Sequence, residues 1–270
     1  MRYDGRTCLV TGSTGIAAAS ALRFAREGAR VFITSKTEEH CRELTEAVRA
    51  AGAEAEYLAV NLSEDGAADA ATEAAMERFG RLDAVFNVAG GSGRRYGDGP
   101  THAATAEGFD ATINLNLRSQ FLMCTAAVNR MLGQEPAADG MRGAILNMTS
   151  ILAFHPSPAH FPTHAYAAAK GAIVSLTTTM AAYYAPQRIR VNAVAPSLTR
   201  TPMAGRAASD PATVAFAAWK QPLVGGLLEP EDVADAAAFL LSAEARAITG
   251  QVLKVDGGFS VTESPPEGTP

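Results

Sequence analysis

The strongest constraint on the fold is a regular alternation of short β-branched runs with longer alanine-rich segments of helical periodicity. The runs are too apolar for strands with one wet face, so helices must cover both faces of the sheet. Right-handed crossovers then give a doubly wound parallel sheet with its ligand at the carboxyl ends of the strands. The predicted strands are Thr7–Thr11, Ala29–Thr34, Glu54–Val60, Leu82–Val88, Ala144–Thr149, Arg190–Ala195 and Val252–Val255. The predicted helices are Ile16–Glu27, Glu38–Ala51, Glu64–Phe79, Phe109–Leu132, Pro162–Tyr184 and one opening at Pro230.

The chain has 270 residues, of which 47% are hydrophobic and 19% charged, so it can bury a sizeable core. No internal repeat or linker divides it. We therefore expect a single domain over residues 1–263, including a long segment at 196–228 on the substrate side. Residues 264–270 are rich in Pro and Gly and are expected to form a disordered tail.

Charge and cysteine usage exclude several classes of protein. A net charge of −5 without a basic run argues against nucleic acid as a partner. The charged start of the sequence and the lack of a long apolar run argue against a signal peptide and a membrane span. Three widely separated cysteines, Cys8, Cys41 and Cys124, fit neither a zinc site nor a disulfide framework, which favours the cytoplasm.

The turn after the first strand reads Thr11-Gly12-Ser13-Thr14-Gly15-Ile16. Glycines allow a tight turn that approaches a pyrophosphate closely, and the following helix offers free N–H groups and the positive end of its dipole. The pair of glycines is common in strand-to-helix turns, but its place in the first βα unit favours nucleotide binding.

The second strand is followed by Ser35 and Lys36, and no Asp or Glu occurs before Glu38. A carboxylate here would bind a ribose 2′-hydroxyl and repel a 2′-phosphate. A hydroxyl and a cation suit the 2′-phosphate instead, so NADP(H) is favoured and NAD(H) stays possible. The alternative is that Lys36 is a solvated surface lysine.

Tyr166 and Lys170 lie four residues apart in a predicted helix, which puts both side chains on one face. An ammonium beside a phenol favours the phenolate and lowers its pKa, which would suit Tyr166 to proton transfer. Taken alone, such a pair is common on amphipathic surface helices.

Further motifs occur in a fixed order around this pair: Asn87-Val88-Ala89-Gly90, Asn114-Leu115-Asn116, Ser150 after the fifth strand, and Val191-Asn192-Ala193-Val194-Ala195-Pro196. With them, the sequence resembles the classical short-chain dehydrogenase/reductase family from about Gly5 to Phe259. The resemblance implies a Rossmann-like sheet of about seven strands in the order 3-2-1-4-5-6-7. It also implies NAD(P)(H)-dependent interconversion of a carbonyl and a secondary alcohol, in a homo-oligomer, a tetramer or dimer, formed through the helices near Phe109–Leu132 and Pro162–Tyr184.

The resemblance also implies roles for residues. Tyr166 would be the general acid or base, Lys170 would hold the nicotinamide ribose, and Ser150 would hydrogen-bond the substrate oxygen. Asn116 would hold a water of a proton relay, with Asn114 the less favoured alternative, and Ser157 is a remote alternative to Ser150. The expected cofactor-binding residues are Gly12, Ser13, Thr14, Gly15, Ile16, Ser35, Lys36, Asn61, Leu62, Asn87, Ala89, Gly90, Tyr166, Lys170, Pro196 and Thr201.

The glycine turn departs from the family pattern. It is one residue short, and Ala17 or Ala18 replaces the last glycine. This departure motivates two alternatives: a nucleotide-binding regulator with weakened catalysis, and an isomerase or dehydratase that retains its cofactor. The Ser-Asn-Tyr-Lys set favours the oxidoreductase.

Three segments are expected to surround the substrate: Ser92–Pro100, His155–His164 and Pro196–Leu228. Arg94 and Arg95 could clamp a carboxylate or phosphate of the substrate, and the alternative is a solvated loop or subunit contact. The histidines lack acidic or cysteine partners, so a polar pocket rim is favoured over a metal site. Met203, Phe216 and Trp219 suggest an apolar lid. The candidate substrate residues are Arg94, Arg95, Tyr96, His160, Met203 and Trp219.

Overall fold

The computed structural model describes residues 1–263 and shows one seven-stranded parallel sheet in the order β3-β2-β1-β4-β5-β6-β7. This confirms the expected fold and strand order. The strands are β1 (Thr7–Thr11), β2 (Arg30–Ser35), β3 (Ala55–Ala59), β4 (Ala84–Asn87), β5 (Gly143–Met148), β6 (Ile189–Pro196) and β7 (Val252–Val255). The predicted tail at 264–270 lies outside the described residues.

Helices cover both faces of the sheet. They are α1 (Ile16–Arg26), α2 (Glu38–Ala50), α3 (Ala67–Phe79), α4 (Ala106–Ile113), α5 (Ser119–Gly133), α6 (His164–Tyr184), α7 (Gly205–Ala208), α8 (Pro211–Lys220) and α9 (Pro230–Leu241). Alternate strand residues belong to different cores. Val10 of β1 packs with Phe24 of α1 and Leu241 of α9, whereas its neighbour Leu9 packs with residues of α3 and α5.

The helices differ from the sequence-based predictions in two places. The single helix predicted over Phe109–Leu132 is two helices, α4 and α5, joined without a break by a π-helical stretch at Asn114–Arg118. The segment 196–228, predicted without secondary structure of its own, contains α7 and α8. Both helices are short, so their periodicity is weak in the sequence.

Because the strands are parallel, their carboxyl ends all lie at the same edge of the sheet. β1 pairs with both β2 and β4, and β5 lies between β4 and β6. The turns after β1, β2, β4, β5 and β6 therefore open side by side. The chain adds β2 and β3 on one side of β1 and adds β4 to β7 on the other side. A doubly wound sheet leaves a crevice for a ligand at this switch point between β1 and β4.

Candidate active site

A crevice of about 800 Å³ runs along the carboxyl ends of these strands. Most of the predicted cofactor residues line it: Gly12, Ser13, Thr14, Ile16, Ser35, Lys36, Asn61, Leu62, Ala89, Gly90, Tyr166, Lys170, Pro196 and Thr201. The crevice thus joins the glycine turn at one end to the predicted catalytic helix at the other.

Two predicted cofactor residues do not line the crevice. Gly15 lies behind it, where a Cβ would come within 2.9 Å of the Thr201 Cγ2 atom, so its glycine is needed for packing of the turn. The Asn87 side chain is fully buried on the face of the sheet under α5, where its Nδ2 donates to Asn147 Oδ1 at 2.9 Å and to the Cys124 Sγ at 3.3 Å. The residue type at Asn87 is therefore explained by the sheet interior.

The shortened glycine turn is intact as a structure. Gly12 has a φ of 95°, and a Cβ there would lie 3.2 Å from the Cβ of Ala17, which is buried in the core. Ala17 is therefore accommodated because Gly12 has no side chain. The first turn of α1 receives no side-chain cap from Gly15. Within that turn the Ala17 N–H donates to the Thr14 carbonyl at 3.2 Å, and the remaining N–H groups can meet a phosphate at the positive end of the helix dipole.

Tyr166 and Lys170 face the crevice from the first two turns of α6, and Ser150 lies directly after β5. The Lys170 Nζ atom lies 5.5 Å from the centre of the Tyr166 ring and donates to the Met148 carbonyl at 2.8 Å. The Ser150 Oγ atom accepts from the Leu152 N–H at 3.2 Å, which orients the hydroxyl. The structure thus brings the three predicted catalytic side chains to one wall. Ser157, the alternative to Ser150, does not line the crevice.

The electrostatics of this wall differ from the sequence-based expectation. Burial raises the pKa of the Tyr166 phenol, and a hydrogen bond with the Ser150 side chain offsets only part of the rise. Burial also lowers the pKa of Lys170 to about 7. The predicted lowering of the phenol pKa by Lys170 is therefore not what the protein alone produces, because desolvation acts on both groups.

Asn116 lies in the π-helical stretch between α4 and α5 and is fully buried against the crevice. Its Nδ2 donates to the carbonyls of Gly91 and Thr112, each at 2.9 Å, and its Oδ1 accepts from the Gly91 N–H at 3.1 Å. These bonds leave the second lone pair of Oδ1 as the side-chain position that can hold a water. Asn114 does not line the crevice.

Only part of the predicted substrate set reaches the crevice. Arg94, Arg95 and Met203 line it, whereas Tyr96, His160 and Trp219 do not. His160 stacks on Phe216, with ring centres 4.1 Å apart, and Trp219 packs edge-on against the same ring. Phe216 and Trp219 thus belong to an aromatic cluster on α8, and Met203 is the residue of the predicted lid that lines the crevice.

Sequence reasoning missed many crevice residues, among them His40, Arg206 and Phe259, which come from segments without a motif. It also missed Asp98. The Asp98 carboxylate accepts from the N–H of Ala165 and of Tyr166, each at 3.0 Å, and caps α6 from the loop after β4. A lone Asp in a loop gives no signal of a partner so far along the chain.

The described residues, 1–263, include no group of three or more His, Cys, Asp or Glu side chains placed to hold a metal ion. Within the same part of the chain, no helix is both long and apolar enough to cross a membrane.

Known proteins of the same architecture give the comparison. A family model described as enoyl-(acyl carrier protein) reductase matches residues 10–260. The chain is 37% identical to an A-factor type γ-butyrolactone 1′-reductase of Streptomyces virginiae, covering 95% of this chain and 96% of that protein. It is also 37% identical to 3β-hydroxysteroid dehydrogenase 1 of Eggerthella lenta, covering 96% of each. The crystal structure of a Brucella melitensis 3-ketoacyl-(acyl-carrier-protein) reductase complexed with NADH superposes with a TM-score of 0.82 at 32% identity, covering 96% of this chain and all of that one.

Proposed function

The chain belongs to the short-chain dehydrogenase/reductase family, and from this premise we propose that it works as an NADP(H)-dependent carbonyl reductase. As a member it is a nicotinamide-dependent oxidoreductase that interconverts carbonyl and secondary alcohol groups. The preference for NADP(H), the direction of reduction and the roles of individual residues are the proposal.

The observation that carries the proposal is the convergence of Ser150, Tyr166 and Lys170 on one wall of the dinucleotide-sized crevice. A bound nicotinamide supplies the hydride. The Tyr166 hydroxyl donates the proton to the substrate oxygen, and a phenol whose pKa is raised by burial is protonated at neutral pH, as reduction requires. The Ser150 hydroxyl donates to the same oxygen as charge develops on it.

Lys170 and Asn116 support the roles proposed for Tyr166 and Ser150. Lys170 holds the nicotinamide ribose, and its pKa of about 7 suits it to pass a proton towards Tyr166 near neutral pH. Asn116 fixes the Gly91 backbone beside it and offers its Oδ1 to a water. A Cβ at Gly90 would lie 2.7 Å from that Oδ1, so a glycine is required where the chain passes between Asn116 and Lys170.

NADP(H) preference is supported by the composition of the crevice after β2. Ser13, Ser35, Lys36, Thr37 and His40 line it there, and no Asp or Glu of the described residues is among its lining. A 2′-phosphate would meet hydroxyls and the Lys36 ammonium instead of a repelling carboxylate.

The proposed function is tested with a panel of ketones and secondary alcohols and both cofactors, read at the nicotinamide absorbance band. We expect turnover with a larger kcat/KM for NADPH than for NADH. Cofactor binding without turnover across the panel would favour the regulator, and conversion without net NADPH change would favour the isomerase or dehydratase.

Lys36→Glu tests the cofactor preference. The new carboxylate should repel a 2′-phosphate, so the Kd for NADPH should rise by about tenfold or more, whereas the Kd for NADH should change little. Fluorescence titration of both cofactors measures this, with Lys36→Gln separating loss of the cation from added repulsion. Equal weakening of both cofactors would contradict the assignment of Lys36.

The proposal also covers the oligomeric state and the cellular location. We propose a homo-oligomer, a tetramer or dimer, because α5 and α6 carry large apolar side chains that are exposed, with Phe121 half exposed and Tyr183 71% exposed. We propose a cytoplasmic location because all three cysteines are buried and unpaired.

A further inference from the structure

The crevice is lined by positive charge, although the chain as a whole carries a net negative charge. The sequence carries 28 acidic and 23 basic residues. Five Lys or Arg side chains nevertheless line the crevice, Lys36, Arg94, Arg95, Lys170 and Arg206, and no acidic residue from the described part of the chain joins them. The ligands of this crevice are therefore expected to be strongly anionic in total.

The cofactor is expected to contact only some of these five basic side chains. Lys36 lies beside Ser35 at the end of β2, where it would contact the proposed 2′-phosphate. Lys170 belongs to the catalytic wall. The three arginines come from the two segments that surround the substrate in this fold, the loop after β4 and the segment after β6. Arg95 is occupied elsewhere, since its guanidinium stacks on the exposed Tyr96 ring at 4.6 Å and donates to the same phenol oxygen.

Arg94 and Arg206 remain, and they influence each other. Burial lowers the pKa of Arg94, and the positive charge of Arg206 lowers it further, while Asp98 has a smaller opposite effect. Both Asp98 oxygens are already bonded to the start of α6. Neither arginine forms an ion pair within residues 1–263. Arg94 donates one bond, to the His160 carbonyl at 3.1 Å, which steadies its guanidinium without neutralising it.

Arg94 is partly buried and Arg206 is exposed, so their mutual repulsion is modest, and an anion that contacts both would remove it. We propose that the substrate is a ketone or secondary alcohol bearing a carboxylate or phosphate group, held by Arg94 and Arg206 away from the reacting carbon. The pair replaces the Arg94–Arg95 clamp that the sequence suggested. This inference rests on the proposed function for its reaction, but the anion site has a test of its own.

The binding test uses the enzyme saturated with NADP⁺. Titration calorimetry compares cyclohexanecarboxylate and cyclohexyl phosphate with the neutral cyclohexanecarboxamide. At least one anion should bind about tenfold or more tightly than the amide, and which one does distinguishes carboxylate from phosphate. Arg94→Gln and Arg206→Gln should each remove about tenfold of that preference. Arg200→Gln is the control, because Arg200 lies in the same segment, is exposed, does not line the crevice and pairs with Glu229.

The kinetic test compares 4-oxocyclohexanecarboxylate with its methyl ester. The acid should have the larger kcat/KM, and the Arg206→Gln variant should raise its KM without an equal change for the ester. Anions that bind no better than the amide would overturn the anion site, even if ketones are reduced. A Kd for NADPH weakened tenfold by Arg206→Gln would also overturn it, by assigning that arginine to the cofactor. If no ketone is reduced but the anion preference persists, the proposed function fails and the anion site stands.

Discussion

The phenol of Tyr166 and the ammonium of Lys170 share a desolvated wall, and burial moves their pKa values in opposite directions. Both shifts favour the neutral form because a charge loses hydration there. In the protein alone the pair is therefore close to a neutral phenol beside a lysine near its titration midpoint at pH 7. Ser150 adds the one hydrogen bond that counters burial of the phenol.

Tyr166→Phe removes the hydroxyl and leaves the ring in place. We expect kcat to fall by several orders of magnitude, because no other group on the wall replaces the proton donor, while the cofactor still binds. Single-turnover kinetics and cofactor titration measure the two effects separately. Turnover close to that of the native enzyme would contradict the role of Tyr166.

Lys170 also makes stability depend on pH. Its pKa is about 7 in the fold, against the usual 10.5 of a lysine, so between these values the unfolded chain binds up to one proton more. Burial of Lys170 therefore lowers the stability of the fold most below pH 7, and this cost is relieved as pH rises from 7 towards 10.5. Relative to Lys170→Met, the native protein should gain about 2 kcal/mol between pH 7.5 and 9. Urea unfolding at both pH values tests this, and a constant difference between the two proteins would contradict it.

At the scale of elements, the start of α6 is held by a different part of the chain. The loop after β4 supplies Asp98, whose carboxylate accepts from the N–H of Tyr166 itself, and Gly99, whose carbonyl accepts from the His164 N–H. The same loop carries Arg94 into the crevice. Hydrogen bonds thereby join the catalytic helix to the substrate-side loop.

Asp98→Ala should leave two N–H groups of α6 without acceptors and loosen Tyr166. We expect a loss of about 1–2 kcal/mol in stability and about a tenfold fall in kcat, with the Kd for NADPH little changed. Asp98→Asn keeps one acceptor oxygen and should restore part of kcat. The pH profile of kcat should also shift, because the carboxylate lies next to the Tyr166 backbone.

The matched control is Asp232→Ala. Asp232 belongs to a capping box at the start of α9, away from the crevice, and its loss should lower stability without changing kcat. If Asp98→Ala behaved like this control, Asp98 would be a helix cap only and would not position Tyr166.

At the scale of the whole molecule, helices cover both faces of the sheet, and three helices that follow β4 and β5 carry exposed aromatic side chains. Phe109 of α4 is 48% exposed, Phe121 of α5 50% and Tyr183 of α6 71%. Large apolar side chains are normally scattered singly on a monomer, so their concentration on successive helices supports self-association.

Phe121→Glu should weaken the proposed oligomer, because a charge would be buried without a partner in an interface formed by α5. Size-exclusion chromatography with light scattering should show a smaller mass than for the native chain. Leu223→Glu changes an even more exposed apolar residue outside these helices and should leave the mass unchanged. An unchanged mass for both variants would remove α5 from the interface.

The sequence by itself determined where the strands lie and which motifs follow them, and its resemblance to the family supplied the strand order. Alternating apolar and helical segments allow few arrangements of a parallel sheet, and all seven strands lie within a few residues of their predicted positions. Ser150, Tyr166 and Lys170 could be found because each stands at a fixed position relative to a strand end or helix turn. The limits of prediction appear in the α4–α5 region, where the π-helical stretch at Asn114–Arg118 has no periodic signal of its own.

Only the tertiary structure decided which side chains meet across the crevice. Asn87 faces Asn147 because the β4–β5 register pairs them, and a position at the end of a strand does not reveal whether the side chain points into the sheet layer or the crevice. Asp98 reaches α6, and Arg94 and Arg206 line the same crevice, from segments far apart in the chain. Such contacts depend on the packing of whole elements, and local sequence encodes the elements much more strongly than their contacts.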